Sequence, residues 1–341
     1  MAPKATDAFA IFRLPQNEKP QIIIGKSAPE LINISELSGE TAFVISPFNK
    51  TEQVYAIRSG ALLDFNPLLF PDLKFHFSKN SYSNFPKQHY LNIVEKAITQ
   101  IRDTNCLDKV VISRTKTIQL NLFNPLQLFS SLSLAYPNAF VYMVSSHECG
   151  TWMGATPELL LSSNPVQTET VALAGTLPDT KQAQWSEKEI EEQQLVEIYI
   201  ETILKQESLK FVKSGPADLI TGDLKHLQTR YYIENNKPPG DKSLSSLIAK
   251  LNPTPAVAGM PKDTALEFIE ENEGYNRNFY SGFVGLTQAS AQQLFVNLRC
   301  LELQEDTATL FAGAGIIKNS NPVNEFYETE RKMDAILHFL K

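Results

Sequence analysis

The chain is poor in cysteine. Its 341 residues carry three, Cys106, Cys149 and Cys300, an odd number and far apart. No C-x-x-C occurs, so neither a disulfide framework nor a zinc knuckle is expected, and a reducing compartment fits. Long apolar runs are also missing. No stretch reaches the roughly 18 apolar residues of a membrane span, and the opening MAPKATDAFAIFRLPQNEKP has no apolar core of a secretory signal. A cytoplasmic protein with no membrane partner is the expectation. Positive charge is not in excess: 31 Lys and Arg stand against 38 Asp and Glu, a formal net charge of −7. That weighs against nucleic acid as a partner. It also means that an anionic ligand must be met by a local set of cations or by a metal. There is no repeat and no low-complexity tract. Phosphate-loop, nucleophile-elbow and zinc-helix motifs are absent.

What remains is an ordinary globular composition, 43% hydrophobic, in a chain long enough for a large core. The first 80 residues read as short strands between turns: DAFAIFRLP, PQIIIGKS, TAFVISPF and QVYAIRSG. Residues 85–104 carry a helical pattern, with Ile93, Ala97 and Ile101 on one face. A strand-rich block follows, interrupted by a helix near 125–135. A polar connection, 177–188, leads into a long helix over about 186–206. The stretch 207–262 is mixed and ends in the loop LNPTPAVAGMP. The chain then returns to strands and closes with a helix over about 323–340. Strands and helices do not alternate regularly. The pattern predicts an α+β fold with two large, mostly antiparallel sheets flanked by helices, and no composition break marks a linker.

Each of the two long helices carries E-x-x-E. In the first, Ser186 with Glu189 three residues on is a capping box. Glu192 lies in register with Val196, Tyr199 and Ile203, a stripe that should face the core. In the second, Glu325, Glu328 and Lys332 share a face. Carboxylates gathered at partly buried positions repel unless a cation sits among them, and oxygen-only ligands suit Mg2+. Two solvated acidic faces give the same spacing. On the strands, Lys109 opens the apolar run Val110-Val111-Ile112, where desolvation would make it a base and an edge position would make it a gatekeeper. Glu158 stands between GATP and LLL, a setting that raises a carboxyl pKa toward that of a general acid, or a simple turn. Arg299 ends LFVNL, placed to hold a carboxylate or to form an internal salt bridge. Gly313-Ala314-Gly315 follows TATLFA; it is either a tight turn or a place where backbone N–H groups reach an anion. His226 is a candidate donor to a substrate oxygen, or a core histidine.

Taken in order, KVVISR (109–114), GATPELLL (154–161), ALAGT (172–176), SEKEIEEQQLV (186–196), LNPTPAVAGMP (251–261), NRNFYSGFVG (276–285), NLRCLEL (297–303), LFAGAGI (310–316) and NEFYETERK (324–332) resemble the chorismate-utilising enzyme family, on its isochorismate-forming branch. The resemblance implies one chorismate-binding domain over 1–341, with 1–84 divergent and 85–341 the family's catalytic core. It implies Mg2+ and chorismate as ligands. Glu192 and Glu328 match the metal-binding glutamates, and Glu189 and Glu325 their partners. Arg299 and the backbone of Gly313, Ala314 and Gly315 match contacts to the enolpyruvyl carboxylate. Lys332, Gly175, Thr176 and His226 match further substrate contacts. Lys109 would activate water at ring C2, and Glu158 would protonate the hydroxyl leaving C4. The relatives that insert nitrogen place glutamine where Lys109 stands and threonine where Ala256 stands. No glutaminase subunit is therefore implied, and a monomer is expected. Asn252 and Gln193 depart from the family's common histidines. A salicylate-forming enzyme shares the same residues. A non-catalytic chorismate-binding subunit would have lost some of them. Menaquinone supply is the expected pathway, because nothing suggests a carrier-domain partner.

Overall fold

The computed structural model describes residues 8–36, 40–49, 53–59, 61–71, 73–82, 84–121, 123–180, 182–234 and 242–340; the first seven residues of the opening segment lie outside them. The elements run β1 (Ala8–Arg13), β2 (Gln21–Ile24), β3 (Glu30–Asn33), β4 (Ala42–Ile45), β5 (Gln53–Arg58), β6 (Leu63–Asp64), α1 (Lys87–Thr104), β7 (Lys109–Gln119), α2 (Pro125–Ala135), β8 (Phe140–Ser146), β9 (Gly150–Thr156), β10 (Leu159–Ser163) and β11 (Gln167–Pro178). They continue with α3 (Glu187–Gln206), β12 (Phe211–Thr221), β13 (Leu224–Glu234), α4 (Lys242–Leu251), β14 (Gly259–Met260), α5 (Lys262–Asn272), β15 (Phe283–Gln288), β16 (Ala291–Val296), β17 (Cys300–Leu303), β18 (Thr307–Ile316) and α6 (Pro322–Leu337).

The strands form two nine-stranded sheets, in the orders β14-β7-β18-β17-β9-β8-β1-β2-β6 and β12-β13-β11-β10-β16-β15-β4-β5-β3. Every ladder is antiparallel. The expected α+β architecture is the observed one. Strands from the first 64 residues are built into both sheets, beside β8 in the first and β15 in the second.

Aromatic side chains hold the sheets face to face. Phe12, Phe140 and Tyr142 of the first sheet share one buried cluster with Phe43 and Phe295 of the second. Phe140 and Phe295 stack with centroids 4.5 Å apart and planes 3° from parallel. The outer faces are covered by helices, as an apolar sheet face requires. Val196, Ile200, Ile203 and Leu204 of α3 pack on Leu160, Ala172 and Tyr231 of the second sheet. Met333 and Ile336 of α6, with Leu128, Phe129 and Leu132 of α2, pack on Met153, Leu301 and Leu310 of the first. Near β7, α1 buries Tyr90, Ile93, Val94, Ala97, Ile98 and Ile101, a three-to-four spacing that makes one apolar stripe.

The helix ends follow local chemistry. Asn124 and Asn321 cap α2 and α6, each accepting two backbone N–H groups, and each is followed by proline at the first helical position. The four helices read from periodicity are present; α6 ends at Leu337 and one 3-10 turn, His338–Leu340, completes the expected span. The mixed stretch 207–262 resolves into the long hairpin β12–β13 and helix α4, and α5 follows where no helix was anticipated. Strand β12 is an edge strand exposed along most of its length, so its sequence has no inside and outside to alternate.

Replacing Phe140 by Ala removes the central ring of the inter-sheet stack. The expected loss is about 3–5 kcal/mol of stability, read as a lowered midpoint in urea denaturation with secondary structure retained before the transition.

Candidate active site

Both glutamate-bearing helices converge on the start of β7. Lys109 is fully buried there, with Nζ 3.0 Å from Glu192 Oε1. The contact is an ion pair between two buried side chains. Burial lowers the pKa of Lys109, with Lys188 and Lys332 adding to the effect and Glu192 opposing it. The pair forms because residue 315 has no side chain. A Cβ there would overlap Glu192 Oε1 and lie 3.0 Å from Lys109 Cε.

Three lysines and three glutamates alternate through this region. Lys332 Nζ is 2.8 Å from Glu328 Oε1 and also donates to Gly313 O at 2.9 Å. Lys188, which the sequence analysis passed over, lies between the helices: its Nζ is 3.1 Å from Glu325 Oε1, 3.8 Å from Glu328 Oε2 and 3.9 Å from Glu192 Oε2. Burial and the Glu328 charge push Glu325 up to about 7, whereas Lys332 and Lys188 outweigh burial and hold Glu328 below the usual carboxylate range. The solvated-face alternative is excluded, because Glu192, Glu325 and Glu328 are buried. Glu189 departs from its expected place. Its carboxylate accepts from the Ser186 backbone at 3.1 Å and from the Ser186 hydroxyl, closing the capping box, and it does not join the other three.

Beside this cluster lies a cleft of about 690 Å³, its open mouth included. Glu158, Gly175, Thr176, Glu192, His226, Ala256, Arg299, Gly313, Gly315 and Lys332 all contribute to its wall. Glu158 is buried at the β9–β10 turn, and burial, only partly offset by Lys109 and Lys332, pushes its carboxyl up to about 8. Arg299 is buried and, among the described residues, forms no ion pair with a carboxylate; burial brings it down to about 10, so it remains charged at neutral pH. Its Nη2 donates to His226 Nε2 at 2.7 Å. The proton of His226 is then on Nδ1, which faces Gly175 O at 3.1 Å and Thr176 Oγ1 at 3.2 Å. Burial and the Arg299 charge hold His226 well below its ordinary value, hence neutral. Gly175 and Thr176 occupy the irregularity in the β11–β13 ladder, and Gly175 has φ +70.

Gly313, Ala314 and Gly315 form no turn. They are strand residues of β18, opposite Ser113, Ile112 and Val111. The N–H groups of Ser113 and Val111 point away from β18, to Glu273 Oε1 and Ala258 O. In an antiparallel ladder this makes 313 and 315 members of non-hydrogen-bonded pairs, whose own N–H groups face the opposite edge. Strand β17 covers that edge only as far as Leu310. Among the described residues the N–H groups of Gly313 and Gly315 thus have no ladder partner and can meet an anion. Ala314 is different: its N–H belongs to the ladder with Ile112, and it does not contribute to the cleft wall. Its expected substrate contact is therefore corrected. Of the two departures, Gln193 donates to Ala172 O and Thr229 Oγ1, and Asn252 accepts from Lys262 through its carbonyl. Neither reaches the cleft. Tyr280, Phe311 and Leu298 also line the wall. No sequence pattern distinguished them from core residues.

The family follows from this chain's match to the model of chorismate binding enzymes over residues 51–341; the chain belongs to that family. Its relatives include isochorismate synthase EntC of Escherichia coli (strain K12), 30% identical over 285 residues, covering 76% of this chain and 72% of that protein. Isochorismate synthase DhbC of Bacillus subtilis (strain 168) is 33% identical over 272 residues, 73% of this chain and 67% of that protein. The fold is shared with a DhbC crystal structure from Bacillus anthracis, with a TM-score of 0.81 and 23% identity over 98% of this chain and 97% of that one. It is also shared with the structure of MenF from Escherichia coli, TM-score 0.80 and 20% identity over 100% and 90% of the two chains.

The Glu158 shift has a stability consequence of fixed sign. The folded carboxyl, near 8, binds a proton that the unfolded one, near 4.5, has released, so this group destabilises the fold progressively as pH rises between those values. Glu158→Gln should therefore gain stability relative to the parent from pH 4.5 to 8 and hold a constant advantage above that. Thermal melts across this range check it; a difference independent of pH contradicts the burial.

Proposed function

We propose that the chain is a Mg2+-dependent isochorismate synthase. One observation carries the reading: a lysine whose pKa is lowered lies behind the cleft against Glu192 of its wall, and a glutamic acid shifted to about 8 lines the same cleft. The lowering eases loss of the Lys109 proton, as a base requires, and Glu158 keeps its proton near neutral pH, as an acid requires. Arg299 and the N–H groups of Gly313 and Gly315 would receive the enolpyruvyl carboxylate of chorismate. Lys109 takes a proton from water as the oxygen bonds to ring C2. The C1–C2 π electrons move to C1–C6, and those of C5–C6 to C4–C5. The C4–O bond breaks, and Glu158 gives its proton to the leaving hydroxyl, releasing water. Neutral His226 holds the Arg299 fork in place.

The donor set suits a hard divalent ion. Glu192, Glu325 and Glu328 turn carboxylate oxygens toward one cationic centre, and Gly315 leaves room for Glu192. These residues would hold Mg2+, which would supply charge neutralisation for the substrate's ring carboxylate. The nucleophile is water and not ammonia, and a water is returned as the C4 hydroxyl leaves, so a monomer without a glutaminase partner suffices. Relatives are named menaquinone-specific, 2,3-dihydroxybenzoate-specific and vibriobactin-specific; our reading assigns menaquinone supply, and a deletion strain with normal menaquinone would refute that part.

Incubation with chorismate and Mg2+ should yield isochorismate, and a chelator should abolish it. Salicylate and pyruvate as the end products would replace this reading with salicylate synthesis. The pH profile of kcat/KM should be a bell: the rate rises as Lys109 loses its proton and falls above about 8 as Glu158 loses its own. Lys109→Gln should lower kcat by ~10²- to 10⁴-fold and remove the acidic limb.

A further inference from the structure

The position of Lys188 conflicts with the metal reading in a way that has a mechanical solution. Its ammonium lies within 3.9 Å of oxygens from all three buried glutamates. Mg2+ needs oxygens at roughly 2.0–2.1 Å, and two cations cannot share that centre. Among the described residues no three carboxylate, thiolate or imidazole groups are close enough together to hold a metal as they stand. The carboxylates are spaced around an ammonium, not around a smaller ion.

Resting on the metal reading above, we propose that Lys188 is a built-in counter-cation of the glutamate cluster, and that divalent-ion binding requires it to swing out to solvent. Local structure supports an exchange. Lys188 is the second residue of α3, an end where the helix dipole disfavours positive charge. What holds it inward is the carboxylates. Ser186, Glu187 and Ile190 around its root are exposed, so the flexible stem can turn outward without disturbing the core. The other two lysines have fixed tasks: Lys109 is walled in completely, and Lys332 is tied to Gly313 O as well as to Glu328. Lys188 has no partner outside the cluster among the described residues. The device would keep three buried glutamates neutralised until a metal replaces it.

The test uses the intact protein and Mg2+ alone, by titration calorimetry. Lys188→Met should bind Mg2+ at least tenfold more tightly than the parent, and Lys188→Arg should bind no more tightly than the parent. Equal or weaker binding by Lys188→Met overturns the proposal while leaving the metal reading intact. Absence of Mg2+ binding by the parent and both variants, with and without chorismate, overturns the metal reading itself. A second measurement needs no variant. Acylation of Lys188 by a water-soluble succinimidyl ester, followed by peptide mass spectrometry, should rise several-fold on adding Mg2+ at constant ionic strength. Unchanged labelling with bound Mg2+ overturns the swing.

Discussion

The ion pair between Lys109 and Glu192 is the constraint around which the site is arranged. It joins β7, in one sheet, to α3, which packs on the other. A charged pair without water is costly unless each member is further compensated. The neighbourhood does this by alternating signs: Glu192 also faces Lys188, and Glu328 faces Lys188 and Lys332. Even so, burial leaves Lys109 with a lowered pKa. The ease with which it gives up its proton is a by-product of how completely the two layers close around it.

The same closure gives an acidic protein a way to receive a dianion. The chain's net charge of −7 does not set the charge of the cleft wall. Arg299 does, buried and without a carboxylate partner among the described residues, and Lys332 stands nearby. Burial raises Glu158, so that wall presents an acid and not a second anion. Local desolvation therefore decides the sign of the field a ligand meets, and net charge does not.

Much of this was legible in the sequence, for physical reasons. Helices with long apolar stripes, such as 87–104 and 187–206, announce themselves through spacing. The buried glutamates 192, 325 and 328 and a lysine leading a strand also leave a linear trace. Edge strand β12 does not, because exposure on both faces erases alternation. Lys188 was missed because the turn that contains it reads fully as a capping box, and Glu189 was over-read for the same reason: its spacing matched, but its carboxylate serves the helix end. Ala314 shows the limit from the other side. Residues 313 and 315 share one edge of a strand and 314 the other, a distinction that depends on which partner strand stops first.

Arg299 has φ +46, a left-handed backbone that a non-glycine residue adopts at a cost of ~1–3 kcal/mol. The bend precedes β17 and turns the guanidinium into the cleft. Glycine would relieve the strain but delete a buried guanidinium that has no carboxylate partner among the described residues. A stability-guided redesign of this enzyme would rank that position among its first substitutions. The strained backbone and a guanidinium that lines the cleft belong to the same residue, so thermostabilisation has to begin elsewhere.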